Sequence, residues 1–104
     1  MDNSRFEEEL ETLYSRVIGG EGRLDIEVRL AIANNGGVPE DFKALTHKVH
    51  EHAYRVTDDD VGELIAKEYD EEEVFEAVVS GAVGAAAERW QVFSSLLREV
   101  ENAS

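Results

Sequence analysis

All three histidines of the chain fall in one run, His47-Lys48-Val49-His50-Glu51-His52, and with Glu51 among them the run has the residue types of a metal site or an acid–base pair. Helical geometry limits what the run can do. At about 100° per residue, His50 lies about 80° to one side of Phe42 and His52 about 80° to the other, while His47 and Glu51 point away from that apolar position. A catalytic zinc takes three protein ligands, and this helix offers at most His47 with His50 or Glu51, so no metal site is assigned. His47 remains as a candidate acid or base, with Glu27 as the carboxylate that would orient it. Cysteine is absent, which removes disulfides, thiolate ligation and any thiol redox cycle carried by this chain. No phosphate-cradling glycine loop, nucleophile elbow or serine–histidine–acid order is present, and no cofactor is expected.

The elements that would position these residues read as helices throughout. Ser4 followed by Glu7 is a capping-box pair, and Phe6, Leu10, Leu13, Tyr14, Val17 and Ile18 recur at spacings of three and four, predicting a first helix to about Ile18. A second helix fits Asp25 to Asn34, with Leu24, Val28, Ala31 and Ile32 on one side, and Asn34-Asn35-Gly36-Gly37 ends it. Pro39 suits the first turn of a third helix, whose buried face carries Phe42, Leu45, Val49, Ala53 and Val56. Thr57 with Asp60, and then Asp70 with Glu73, are two further capping boxes. Each is flanked by a hydrophobic staple, Val56 with Val61 and Tyr69 with Val74. A long fifth helix runs from Glu71 to about Glu101, about 45 Å at 1.5 Å per residue. Its seam is expected along Phe75, Val79, Ala82, Ala86, Trp90, Phe93, Leu97 and Val100. The expected fold is therefore a single all-α domain over residues 1–104, a compact bundle of about five helices with a long C-terminal one.

Three features of that bundle bear on partners. Gly81 and Gly84 lie inside a helix, where glycine costs roughly 0.5–1 kcal/mol relative to alanine, so another backbone comes close there, from this chain or from a second copy. Tyr54, on the His47 side of the third helix, is either a pocket wall or a subunit contact, and Trp90 and Phe93 sit in the long seam as core or interface residues. The apolar positions running on to Val100 outlast the faces the other helices offer, which predicts a homo-oligomer, a dimer or higher.

Net charge is −14, from 24 acidic against 10 basic residues. Such a surface repels nucleic acid and anionic membranes and suits a basic protein partner, a solubility adaptation or a salt-rich cytoplasm. The longest charge-free stretch, 77–87, is too short for the about 20 apolar residues a membrane span needs, and with no hydrophobic leader at Met1-Asp2-Asn3-Ser4-Arg5 a cytoplasmic location is expected.

The succession Val38-Pro39, His52-Ala53-Tyr54-Arg55-Val56-Thr57-Asp58-Asp59-Asp60-Val61, Tyr69-Asp70-Glu71-Glu72-Glu73-Val74-Phe75-Glu76-Ala77 and Gly81-Ala82-Val83-Gly84-Ala85-Ala86 resembles the carboxymuconolactone decarboxylase and alkylhydroperoxidase D superfamily over the last two-thirds of the chain. The resemblance implies an all-α fold and assembly as dimers, trimers or hexamers. Peroxidase-type members carry Cys-x-x-Cys-x-x-x-His, with a glutamate on the preceding helix in a proton relay. Laid on this sequence, the histidine falls on His47, the two cysteine positions on Glu40 and Lys43, and the relay glutamate at or beside Val28, with Glu27 the nearest carboxylate. The decarboxylase branch works without cofactor or cysteine.

Three functions follow as expectations. The first is a redox-silent, oligomeric binding or accessory domain, with a cysteine-containing paralogue as one partner. The second is an acidic module for a basic protein, and the third a cofactor-free lyase or isomerase using His47. In every case the purified protein is expected to reduce no alkyl hydroperoxide with any thiol partner, because neither the attacking nor the resolving thiol exists. Turnover above a heat-denatured control in metal-free buffer would contradict this.

Overall fold

Two of the capping boxes set the register of the chain's second half. Thr57 Oγ1 accepts from the Asp60 amide at 3.3 Å while the Asp60 carboxylate accepts from the Thr57 amide at 2.8 Å. Asp70 and Glu73 repeat the exchange at 2.8 and 3.1 Å. Each box satisfies two helix amides that have no intrahelical partner. In the computed structural model, which describes residues 4–52 and 55–103, the helices are α1 (Ser4–Gly19), α2 (Ile26–Asn34), α3 (Lys43–His52, entered through a 3₁₀ turn at Glu40–Phe42), α4 (Asp58–Ala66) and α5 (Glu71–Ala103). No strand occurs among the described residues. The chain is all-α, as its spacings require. α2 ends where Asn35 adopts left-handed backbone at φ 51° and Gly37 follows at φ 71°.

α5 is the axis of the bundle. α1 lies antiparallel to it, with the Phe6 ring 4.7 Å from Trp90 at one end and the Arg23 amide on Glu76 at the other. α2 and α3 run the opposite way, parallel to α5. Ile32 and Val49 meet it at Gly81, Ala33 at Gly84, and Arg89 reaches the His50 carbonyl at 2.7 Å. α4 closes the N-terminal end of α5. The core gathers Leu24, Ile32, Val38, Phe42, Leu45, Val49, Leu64, Val74 and Ala77, with both members of each staple, Val56 with Val61 and Tyr69 with Val74, in it or against it.

One face differs from the sequence expectation. The long apolar seam of α5 is not its buried side. Val74, Ala77, Ser80, Gly81, Gly84 and Ala85 are buried, while Phe75 is 61% exposed, Phe93 49% and Val100 69%, with Ala82 and Ala86 exposed between them. α5 is apolar on more than one side, and the side lacking bulk is the one its neighbours can approach. A Cβ at Gly84 would collide with the Ala33 carbonyl, and one at Gly81 would come within 2.9 Å of Val49. In α2 the expected side is the buried one, with Leu24 and Ile32 in the core and Val28 and Ala31 against it, and Arg29 and Ala33 are buried as well. The predicted caps at Thr57 and Asp70 form as expected. The Ser4 side chain and Ala53 lie outside the described residues.

Asp60 also ties α4 to α3, accepting from Lys48 Nζ at 2.8 and 2.9 Å. The Lys48 hydrogen bond, and then the Thr57 amide, hold the Asp60 carboxyl below its ordinary value of 3.8. A carboxyl depressed in the folded state stabilises the fold above its unfolded pKa and ceases to do so as pH falls through the folded value. Asp60→Asn is therefore expected to lower the denaturant midpoint at neutral pH. The gap from wild type should shrink progressively below about pH 4. A gap that stayed constant down to strongly acid pH would show that Asp60 acts without its charge.

Candidate functional site

Arg29 is the charged side chain the fold takes inside. It is 4% exposed, and it donates from Nε to the Leu24 carbonyl at 3.1 Å and from Nη1 to the carbonyls of Val17 and Gly20 at 3.0 and 2.7 Å. The last turn of α1 leaves carbonyls without intrahelical donors, and the helix dipole makes that end favourable for a cation. One guanidinium thus closes α1 and folds the 20–24 segment back onto α2. Glu76 completes the clamp from α5, accepting from the Arg23 amide at 2.8 and 3.0 Å and from the Leu24 amide at 3.2 Å. Gly22 runs between the two. A Cβ there would collide with Glu76 Oε1 and lie 3.3 Å from Arg29 Cζ. Neither Arg29 nor Glu76 carries a sequence signal of this role, because their partners are backbone atoms of a segment with no pattern of its own.

The histidine run divides by face. His50 Nε2 donates to the Ile32 carbonyl at 2.7 Å, so its ring joins α3 to α2. His47 pairs with Glu51 at 3.3 Å on the exposed face of α3, and His52 is exposed. Among the described residues no group of three His, Cys, Asp or Glu side chains is arranged to hold a metal ion. Glu27 is exposed on α2 and lines the open groove beside the 19–25 segment, which His47 does not line. Among the described residues no hydrogen bond or ion pair joins Glu27 to His47. Where the resemblance places a relay carboxylate, α2 thus turns Arg29 inward and Glu27 to solvent. Tyr54 lies outside the described residues.

The remaining candidates fall on α5. Gly81 and Gly84 are buried against α2 and α3 of the same chain, so the close approach inferred from them is intramolecular. Trp90 is half-buried, its ring 4.7 Å from Phe6 and 5.7 Å from Phe93, and its buried Nε1 has no hydrogen-bond partner. It forms one wall of a groove of about 510 Å³ between α1 and α5, together with Glu7, Leu10, Glu11, Tyr14 and Glu88. Phe93 is exposed on the uncovered side of α5. Comparison with protein-family models, with curated proteins and with solved structures finds no match.

Arg29→Met keeps the aliphatic stem and removes the guanidinium, leaving three carbonyls to be satisfied otherwise. It is expected to cost about 3 kcal/mol in denaturant unfolding, against less than about 0.5 kcal/mol for His47→Ala or Glu27→Ala on the surface. Equal midpoints for Arg29→Met and wild type would remove the clamp from the argument.

Proposed function

We propose that the protein is a non-catalytic, self-associating accessory domain, a redox-silent relative of the alkylhydroperoxidase D and carboxymuconolactone decarboxylase type. The observation that carries this reading is the stripe of α5 that its own chain leaves uncovered, Phe75, Ala82, Ala86, Phe93 and Val100. The order of its caps and small residues supports the family assignment. The absence of cysteine and the separation of His47 from Glu27 favour binding over chemistry.

A second copy suits the stripe on two counts. Paired antiparallel about the level of Gly84, it sets Phe75 against the partner's Phe93, and Ala82 against the partner's Ala86, so small side chains meet at the centre and rings lock the ends. Charge points the same way. Each copy carries −14, and the stripe residues from Phe75 to Val100 are themselves uncharged, with Glu88 and Arg89 beside Phe93, so pairing through this face leaves most carboxylates outside the contact.

Self-association is expected to tighten as salt screens the repulsion between acidic copies, the reverse of an interface held by ion pairs. Sedimentation equilibrium over a salt series checks it, with Phe93→Glu expected to dissociate the assembly by burying a charge at the contact. A strict monomer at high micromolar concentration in every buffer would overturn the proposal, and an unchanged assembly in Phe93→Glu would move the contact to another face.

A further inference from the structure

We infer that the groove between α1 and α5 receives a lysine- or arginine-bearing segment of a basic protein. This goes beyond self-association and uses a different part of α5, since Ala82, Ala86 and Phe93 do not line the groove. Leu10, Tyr14 and Trp90 give it apolar walls, and Glu7, Glu11 and Glu88 are exposed along it. None of these three carboxylates takes a hydrogen bond or ion pair among the described residues, and no lysine or arginine lines the groove. Glu7 and Glu11 are one helical turn apart, where like charges repel.

Seven of the chain's ten lysines and arginines are committed elsewhere. Arg23, Lys48 and Lys67 reach carboxylates on other elements, Arg5 and Lys43 pair along their own helical turns, and Arg29 and Arg89 bond backbone carbonyls. What the groove lacks is an external cation with an aliphatic stem. A lysine or arginine side chain supplies both, laying its methylenes on Leu10 and Trp90 while its head meets the carboxylates. The volume of about 510 Å³ accommodates side chains rather than a folded surface. A polypeptide fits better than a free polyamine, because its apolar side chains can cover Leu10, Tyr14 and Trp90 while a basic one meets the carboxylates. The net charge of −14 adds steering of a basic partner towards the groove.

Trp90 is the one tryptophan in the chain, so its emission reports on the groove directly. The probe is a ten-residue peptide alternating lysine and alanine, titrated at low salt, with spermidine as the small-cation arm. A saturable change in Trp90 emission is expected, weakened about tenfold in Glu7→Gln/Glu11→Gln/Glu88→Gln and by less than about twofold in Glu63→Gln/Glu68→Gln/Glu99→Gln, which removes the same charge from exposed positions outside the groove. A Phe75→Glu variant, which places a charge in the α5 stripe at a residue that does not line the groove, should bind the peptide like wild type, which separates this inference from the self-association reading. Equal weakening in the two glutamine variants would reduce the binding to net charge and overturn the groove. So would a titration that leaves the emission unmoved, and spermidine binding as tightly as the peptide would overturn the polypeptide as occupant.

Discussion

At Gly84 the Ala33 carbonyl of α2 occupies the space of any side chain α5 could carry. The rest of the architecture depends on this contact. It brings α2 against α5 along Gly81 and Gly84, lets Ile32 and Val49 fill the space around Gly81, and sets the rotation of the long helix about its own axis. Glycine is unfavourable inside a helix by roughly 0.5–1 kcal/mol relative to alanine. Two of them three residues apart are offset here by the packing that a close crossing permits. Once the small side of α5 faces inward, its bulky side, from Phe75 through Phe93 to Val100, must face outward.

A second constraint operates where α1 turns into α2. This segment holds Gly19, Gly20 and Gly22 and little apolar surface besides Leu24, so hydrophobic burial alone cannot anchor it. A cation and a carboxylate do so instead, Arg29 taking three carbonyls and Glu76 two amides. Each charge faces the backbone polarity that suits it, so burying the guanidinium does not require a direct ion pair. Through Glu76 the loop is fixed to α5, and through Arg29 to α2, so the position of α1 along the axis follows from the same residues. That position defines the groove by Trp90.

The surface carries these arrangements into function. Acidic side chains are spread over the outside, and two apolar features between them are of different kinds. The α5 stripe is broad and free of carboxylates between Phe75 and Phe93 except at its edges, which suits a second apolar face. The α1–α5 groove is narrow and flanked by Glu7, Glu11 and Glu88, which suits a cation on an aliphatic stem. Both are proposed here as binding features. His47, the chain's candidate acid–base residue, spends its ring on Glu51 beside solvent.

The helical class, the ends of α2 and the caps at Thr57 and Asp70 were legible in the sequence because they depend on residues within a few positions of one another. A threonine, its amide and an aspartate three residues on find each other whatever the rest of the chain does. The buried faces of α2 and α3 were legible as well, but that of α5 was not. On α5 two apolar stripes coexist, and periodicity alone favours the one with the larger side chains. The choice between them rests on the Gly84 contact with a residue 51 positions away in the chain. Arg29 gave no local sign of burial, because its partners are carbonyls of Val17, Gly20 and Leu24, groups every residue possesses. Of the candidate site, Trp90 was visible as a bulky aromatic in the long helix, but the carboxylates around it come from α1 and α5, more than 70 residues apart. Local hydrogen bonding is written in neighbouring residue types, whereas helix rotation and grooves arise from long-range steric fit, which only the packed chain decides.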